Sequence, residues 1–274
     1  MTTGCTLADQ DQLEELGTVE SEGKRAGATT TSGPTCSSTT DYMADANNCG
    51  TCGNVCGSGL CYSGVCADAT AGHVFAIGHG YATSNRALDK LLGNAVFMNE
   101  RAPVRVLAYA GTAPATLVSG TNAAIDRQAT ARGRTWQRTQ VTSSADVAFN
   151  LPNADVFLVY AQPQQDSTYL NYLGDEWGLY LQQFTRRGGI VVVLDTASTN
   201  AGTPEVLTRT GLMTLGGRTT LTGNAFVGVA EDAGAARMPM MFATSNSVAW
   251  APSSWTNVIN SDAGQAMVVH RAIY

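Results

Sequence analysis

Charged side chains are scarce in this sequence, and long apolar runs are absent from it. Charged residues make up 14% of the 274 residues, against about a quarter in an average soluble protein. Adjacent basic residues occur only at Lys24-Arg25 and Arg186-Arg187, which excludes a protein that binds nucleic acid through a basic patch. The long apolar runs, such as Ile190–Leu194, have the length of a strand, whereas a bilayer-spanning helix needs ~20 apolar residues.

Cysteine is absent after Cys66, although the chain has 7 cysteines in all. Six of them lie between residues 36 and 66, in a stretch rich in Gly, Asn, Ser and Thr. This stretch has too few large apolar residues to form a core, so covalent cross-links would have to stabilise it. We therefore predict three disulfides, among about 15 alternative pairings that the sequence leaves open. The cysteines concerned are Cys36, Cys49, Cys52, Cys56, Cys61 and Cys66.

A zinc site is the competing interpretation of the same cysteines. Cys49 and Cys52 have the spacing of two metal ligands, but no second pair of this kind follows and no histidine precedes His73. Disulfides are therefore favoured. No metal site and no cofactor is predicted, since the histidines are dispersed along the chain.

The cysteine-rich segment carries a recognisable motif. Residues 47–56 read Asn-Asn-Cys-Gly-Thr-Cys-Gly-Asn-Val-Cys, and residues 61–66 read Cys-Tyr-Ser-Gly-Val-Cys. This pattern resembles the NNCGxCGNxC repeat of the Stig1-like cysteine-rich family. In bacteria, such modules occur in secreted and surface proteins, usually between an export signal and a larger domain. The resemblance implies export to the extracellular space or the outer-membrane surface, and it implies no activity.

Cys5 stands apart from the other cysteines. Its place near the start, after Thr3-Gly4, suits the lipid acceptor of a lipoprotein whose signal peptide is absent from this sequence, although Thr2 stands where such signals carry Leu. A lipid on Cys5 would attach the chain to a membrane. The alternative is a free thiol in a polar tail.

These features divide the chain into three parts. Residues 1–35 are predicted to form a flexible tail and spacer, because Thr18–Ser38 is polar and lacks periodicity. Residues 36–70 form the predicted disulfide-rich, Stig1-like module. Residues 71–274 form a larger domain.

Strand and helix patterns alternate in the larger domain. Strands are predicted at His73–Gly78, Pro103–Tyr109, Trp136–Thr142, Ala154–Tyr160 and Ile190–Leu194. Helices are predicted after an N-cap at Ser84, over Ala123–Arg132, and along a stripe that ends at Gly188-Gly189. That stripe consists of Leu170, Leu173, Trp177, Leu181 and Phe184. Strands separated by helices indicate an α/β fold with a mostly parallel sheet and helices on both faces.

Beyond Thr203 the helical signal weakens. Short strands are predicted there, and they would form an antiparallel C-terminal extension of the sheet. Their ranges are Ala225–Val229, Met240–Ala243, Ser247–Trp250 and Met267–Arg271.

The middle of this domain resembles a known fold. Asp155–Tyr160, the long helix and Phe184–Leu194 together resemble the class I glutamine amidotransferase-like fold, including its ThuA-like relatives, in which a buried strand precedes a helix that ends in Gly-Gly before another buried strand. The resemblance spans residues 73–215 and implies a flavodoxin-like sheet. These amidotransferases carry a nucleophilic cysteine after a strand. Here the corresponding sequence, residues 194–199, reads Leu-Asp-Thr-Ala-Ser-Thr, and Ser198 lacks the flanking glycines of a serine-hydrolase elbow.

The loops at the carboxyl ends of the predicted parallel strands remain as candidates for a site. They would bring an imidazole, phenols, an amide and a carboxylate to one crevice that could hold a small ligand or a glycan. The candidate residues are His79, Tyr81, Tyr160, Gln162 and Asp195. The alternative is that His79 and Asp195 satisfy backbone groups of their own loops. His73 and His270 are interpreted as hydrogen-bonded sheet residues.

Three functional hypotheses follow. The first is an exported, surface-anchored bacterial protein whose non-catalytic α/β domain serves binding or assembly, with a glycan or a surface protein as its partner. The second is a ThuA-like hydrolase or sugar-processing enzyme, in which His79 and Asp195 form the acid–base pair and converge in one pocket. The third is self-assembly of a surface protein, in which strands at the sheet edge near the C-terminus pair with a neighbouring chain. An exposed, uncharged edge strand that ends at Tyr274 would favour it.

Overall fold

The computed structural model describes residues 36–45, 47–54, 61–62, 64–66 and 71–274. The predicted tail and spacer, including the lipid acceptor Cys5, lie outside the described residues. The same holds for Cys56 and for the side chains of Cys61 and Cys66. Among the helices of the described ranges, none combines the length and the apolar character that crossing a membrane requires.

The cysteine-rich segment contains a short antiparallel ladder, in which β1 (Cys61–Tyr62) pairs with β2 (Val65–Cys66). Cys36 and Cys52 form a disulfide, with Cα atoms 5.8 Å apart. Cys49 is buried and is disulfide-bonded as well. A disulfide between two of the predicted cysteines is therefore present, and the remaining pairing stays a prediction.

From Gly72 onward the chain folds into one nine-stranded sheet with helices. The strands are β3 (Gly72–Ile77), β4 (Val104–Tyr109), β5 (Trp136–Val141), β6 (Val156–Val159), β7 (Ile190–Leu194), β8 (Thr219–Val227), β9 (Met241–Ala249), β10 (Thr256–Ser261) and β11 (Ala266–Ile273). The helices are α1 (Arg86–Val96), α2 (Ala115–Arg132), α3 (Ala145–Asn150), α4 (Ser167–Arg186) and α5 (Glu205–Arg209).

The strand order is β5-β4-β6-β7-β3-β11-β10-β8-β9. The first five strands in this order are parallel, and the last four continue the sheet with antiparallel pairing. The predicted mixed α/β architecture with a largely parallel core is therefore confirmed. The predicted antiparallel extension near the C-terminus is present as well.

Two hydrophobic layers cover the two faces of the sheet. Phe75 and Ile77 of β3 belong to the layer that includes residues of α1 and α2, whereas Val74 and Ala76 belong to the layer that includes residues of α4. Strand β7 is buried along its whole length, which explains its continuous aliphatic sequence. The predicted stripe of α4 is buried throughout, so this helix packs as its periodicity indicates.

The helix boundaries differ from the predictions in two places. The N-cap of α1 is Asn85 and not Ser84, because the Asn85 side chain accepts hydrogen bonds from the backbone N–H groups of Ala87 and Leu88. Helix α2 begins at Ala115 and not at Ala123. Its first half lacks a regular apolar stripe, so periodicity does not reveal it. The short helices α3 and α5 were not predicted, because one or two turns are too short to show a period.

The C-terminal strands also differ from the prediction. Met240–Ala243 and Ser247–Trp250 were predicted as two strands, but a single strand, β9, spans most of both. Strand β10 was not predicted. The strand next to Tyr274 is not the edge strand that would favour self-assembly, since β11 pairs with β10 on one side and with β3 on the other. Its first five residues are all buried, as suits an interior strand, and β9 forms the edge instead.

Candidate functional site

The predicted site residues all lie at one edge of the sheet, which we name the carboxyl edge. His79 and Tyr81 follow β3, Tyr160 and Gln162 follow β6, and Asp195 follows β7. These three strands are parallel neighbours in the order β6-β7-β3, so their carboxyl ends meet. Each of the five residues is buried, with at most 3% of its surface exposed.

The carboxylate of Asp195 is bound by Arg218. The guanidinium donates from Nε to Oδ2 at 2.8 Å and from Nη2 to Oδ1 at 3.3 Å. The backbone N–H of Thr196 also donates to Oδ1, at 2.9 Å. Burial raises the pKa of the Asp195 carboxyl group, and the ion pair with Arg218 opposes this rise.

The remaining donors of Arg218 hold the loop that follows β7. Nη1 donates to the carbonyls of Ser198 and Asn200, at 3.1 and 3.3 Å, and Nη2 donates to the carbonyl of Thr196. A Cβ atom at Gly202 would lie 2.8 Å from Oδ2 of Asp195, so the loop packs directly against the carboxylate. The ion pair therefore organises this loop and leaves no open face of the carboxylate.

The side-chain amide of Gln162 is also fully engaged. Its Nε2 donates to the carbonyls of Ala110 and Tyr160, at 2.9 and 3.0 Å. Its Oε1 accepts from the backbone N–H of Thr112 at 2.9 Å and from the Thr112 hydroxyl at 3.1 Å. This amide joins the loop after β4 to the loop after β6, and both its donor hydrogens and both its acceptor positions are used.

The two candidate phenols bind protein groups as well. The hydroxyl of Tyr81 donates to the carbonyl of Leu88 at 3.0 Å, and burial raises the pKa of Tyr81 well above its ordinary value. Tyr81 also has a positive φ of 61°, which is uncommon for a residue with a large side chain. The hydroxyl of Tyr160 donates to Oδ1 of Asn122 at 2.7 Å. Neither hydroxyl is left free for a ligand.

His79 is the exception among the candidates. Its Nδ1 lies 2.9 Å from Oγ of Ser247, whose hydroxyl donates to the carbonyl of Ser245 at 3.2 Å. Nδ1 of His79 therefore carries the proton and Nε2 the lone pair. Nε2 is buried and has no hydrogen-bond partner among the described residues. Burial lowers the pKa of His79 to about 4, so the ring is neutral at physiological pH.

The structure brings His79 and Asp195 to the same edge but does not join them. Within the described ranges, no hydrogen bond links the two side chains. His79 binds Ser247, and Asp195 binds Arg218. Arg218 and Ser247 were not identified from the sequence, since neither belongs to a motif, and only the folded C-terminal strands bring them to this edge.

A large cleft opens at the opposite, amino-terminal edge of the parallel strands, and its volume is about 1090 Å³. Side chains that line it include His73, Arg101, Asp155, Phe184 and Arg187. His73 forms a hydrogen bond with His270, which confirms the interpretation of both as hydrogen-bonded sheet residues.

Comparison with known proteins gives little further information. No family model matches the chain, and no curated protein matches it. Part of the chain is similar to a peptidase from an acI-B1 Actinobacterium, with 15% sequence identity and a TM-score of 0.31. The match covers 45% of this chain and 54% of the peptidase, so it spans about half of that protein's length. A similarity at this level supports no inference about fold or activity.

Proposed function

We propose that the chain is an exported, surface-anchored bacterial protein whose α/β domain serves binding or assembly without catalysis. The observation that carries this proposal is the ion pair of Asp195 with Arg218. An acid–base catalyst needs a carboxyl group that can reach a substrate. Both oxygens of Asp195 are instead occupied by hydrogen bonds within the protein, and its side chain is 1% exposed.

The neighbouring groups support the same proposal. The Gln162 amide and the Tyr81 and Tyr160 hydroxyls are all bound to protein atoms at the carboxyl edge. Polar groups that are satisfied in this way hold loops together and are not presented to a substrate. We assign them to the rigidity of this edge.

The proposed fold is that of an amidotransferase-like, ThuA-like domain that lacks the nucleophile. The chain has no cysteine after Cys66, and the residue after β7 is Asp195, followed by Thr196. Without a thiol in this domain, the covalent step of a glutamine amidotransferase has no nucleophile. The domain would therefore retain the fold of the family for a binding role.

Export is supported by the cysteine-rich segment. A disulfide between Cys36 and Cys52 is expected to persist in an oxidising compartment, and the Stig1-like motif is typical of secreted proteins. A lipid on Cys5 would anchor the chain. The partner at the cell surface would be a glycan or a surface protein.

Mass spectrometry of the protein from its native cells tests the location. We expect Cys5 to carry a diacylglyceryl group and the six cysteines of the module to be oxidised. A Cys5→Ser variant should leave the membrane fraction, whereas a Thr6→Ser variant should remain in it. An unmodified Cys5 together with six free thiols would overturn the proposal of export and anchoring.

The absence of catalysis is tested with a panel of model esters, amides and glycosides. Turnover by the full chain should not exceed that of a variant with both His79→Gln and Asp195→Asn. Turnover that is lost in this variant, while its circular dichroism spectrum is retained, would favour the ThuA-like hydrolase over the binding domain.

Self-assembly through β9 is a second candidate. The segment from Met238 to Ser261 contains no charged residue, and Met240 and Met241 are 63% and 55% exposed at the sheet edge. Uncharged edge strands with exposed apolar side chains can pair with a second copy of the chain. Ser245→Lys would place a charge on this edge. Thr139→Lys is the matched control, because β5 is the opposite edge.

Sedimentation velocity distinguishes these variants. If β9 mediates assembly, the wild-type chain and the Thr139→Lys variant sediment as oligomers, and the Ser245→Lys variant sediments as a monomer. A monomeric wild-type chain at all concentrations would eliminate self-assembly while leaving the binding domain in place.

A further inference from the structure

Three polar side chains form a hydrogen-bonded row beside the amino-terminal cleft. Nδ1 of His73, on β3, lies 2.9 Å from Nε2 of His270, on the neighbouring strand β11. Nδ1 of His270 lies 2.7 Å from Oδ2 of Asp232. The ring of His270 also stacks on Phe75, with centroids 4.1 Å apart and planes inclined by 3°. We name this row, Asp232–His270–His73, the histidine relay.

The relay fixes where the protons lie. Burial alone would raise the pKa of Asp232, but hydrogen bonds from His270 and from the Gly234 backbone lower it below its ordinary value. The carboxylate is therefore an acceptor, so Nδ1 of His270 carries a proton. In the state with one proton on each ring, which is the state proposed here, Nε2 of His270 accepts from Nδ1–H of His73, and the lone pair of His73 is on its Nε2.

Nε2 of His73 is the open end of the relay. His73 lines the cleft and is half-buried. Within the described part of the chain its Nε2 makes no hydrogen bond, and it is not one of the buried unpaired atoms. A ring whose other nitrogen is held by a buried partner, and whose free nitrogen faces a cavity, is oriented to accept a proton or a hydrogen bond.

The charged residues that line the cleft indicate the charge of the ligand that it could bind. Its lining includes the cations Arg101, Arg105 and Arg187 and the anions Glu100 and Asp155. Arg105 is committed to Asp155 through two hydrogen bonds, at 3.0 and 2.7 Å. Nε of Arg101 lies 3.5 Å from Oδ1 of the same Asp155, so Arg101 is paired as well. Arg187 makes no ion pair within the described residues, so its guanidinium is able to face an anion, in a chain whose net charge is -6.

We propose that this cleft binds a phosphate group that still carries a proton, with its O–H donated to Nε2 of His73 and its anionic oxygens held by Arg187. His270 and Asp232 are positioning residues. The inference does not depend on the location or the anchoring of the protein.

Nitrogen-15 NMR of the imidazole rings tests the relay directly, because the full chain contains only 3 histidines. We expect His73 and His270 to carry their proton on Nδ1. Asp232→Asn should move the proton of His73 toward Nε2, whereas Asp175→Asn, in an exposed ion pair elsewhere, should not. An Nε2–H tautomer of His73 in the wild-type chain would overturn the proposal without any variant.

Titration at about pH 6, where phosphate retains an acidic proton, tests the ligand. Inorganic phosphate should shift the His73 resonances in a saturable way and leave those of His79 in place. The shift should vanish in His73→Gln and weaken in Arg187→Gln.

Glycerol 3-phosphate is the second probe, because a larger response to it would assign an organic monoester and an equal response would assign free phosphate. Sulfate, which carries no such proton, should bind more weakly. No saturable shift with either phosphate, or an equal response to sulfate, would overturn the proposal.

Discussion

The guanidinium of Arg218 and the carboxylate of Asp195 form a buried ion pair across 23 positions of the sequence. Asp195 directly follows β7, the last parallel strand in chain order, and Arg218 directly precedes β8, where the antiparallel part of the sheet begins. The pair therefore connects the two halves of the sheet at the carboxyl edge. It also fixes the loop between them through the carbonyls of Thr196, Ser198 and Asn200.

Removal of the cation should destabilise the protein strongly. Arg218→Gln leaves the buried carboxylate of Asp195 without its counter-charge, and breaking a buried pair in this way costs about 3–5 kcal/mol. Urea denaturation measures the loss. Arg209→Gln is the matched control, because Arg209 forms the same two-point contact with the exposed Asp175 and its removal should change little. Equal denaturation midpoints for the two variants would show that the buried pair is not a structural link.

Close backbone contact makes Gly120 another sensitive position. A Cβ atom there would lie 1.9 Å from the carbonyl oxygen of Tyr81, so Gly120→Ala must push α2 away from the loop after β3. Such overpacking costs about 1–3 kcal/mol or more. Gly216→Ala is the control, since no atom lies within 4 Å of the added Cβ. Thermal unfolding should separate the two variants, and an unchanged melting temperature of Gly120→Ala would contradict the contact.

Local sequence patterns were sufficient to predict the parallel core of the sheet but not the contacts between its polar side chains. The aliphatic run Ile190–Leu194 can only be buried, and it coincides with β7. The partner of Asp195 is different. Arg218 lies in a Gly-rich stretch without periodicity, so nothing local indicates that it turns back to the end of β7. The same limit applies to His73 and His270, which become neighbours only through the pairing of β3 with β11.

The sequence was equally insufficient to predict which strand forms the edge of the sheet. Strand β11 ends next to the last residue of the sequence, Tyr274, yet it is inserted between β3 and β10. The order of the strands in the sheet depends on pairing between segments that are distant in the sequence, whereas the residue types of one strand indicate only whether that strand is buried. The apolar residues of β11 thus indicate that the strand is buried, but not its place in the sheet.

Trp177 should contribute strongly to stability. Its ring is fully buried, in edge contact with Tyr109 and Phe157 at centroid distances of 4.8 and 5.4 Å. Its Nε1 donates to the carbonyl of Ser144 at 3.0 Å. Trp177→Ala should therefore lower the free energy of unfolding by about 3–5 kcal/mol.

Tyr172→Ala, on the same helix, is the control for Trp177. Tyr172 is 55% exposed, so its removal should leave the free energy of unfolding nearly unchanged. Urea denaturation of both variants compares the two positions. A small effect of Trp177→Ala would mean that this face of α4 is not packed against the sheet.

Stability should decrease as the pH falls from about 6.5 to 4, because the folded chain holds the buried His79 and the half-buried His73 in the neutral form. Burial lowers the pKa of each to about 4, from an ordinary value of 6.5. Between these values the unfolded chain binds more protons than the folded chain, so acid favours unfolding. The buried His79 should contribute on the order of 3 kcal/mol to this loss, and the half-buried His73 less, because solvent screens its charge. Asp155 and Asp232, whose pKa values are lowered from 3.8, add to this loss from about pH 5 downward.

His79→Gln isolates one part of this pH dependence. Glutamine can keep the hydrogen bond to Ser247 but does not titrate, so the free energy of unfolding of this variant should depend less steeply on pH between about 6.5 and 4. Urea denaturation at several pH values in this range measures both slopes. At neutral pH the two proteins are compared for the intrinsic effect of the substitution. If the slopes of wild type and His79→Gln coincide, His79 has the same pKa in the folded and the unfolded chain. The folded protein would then not hold the His79 ring in the buried, neutral state that its contact with Ser247 indicates.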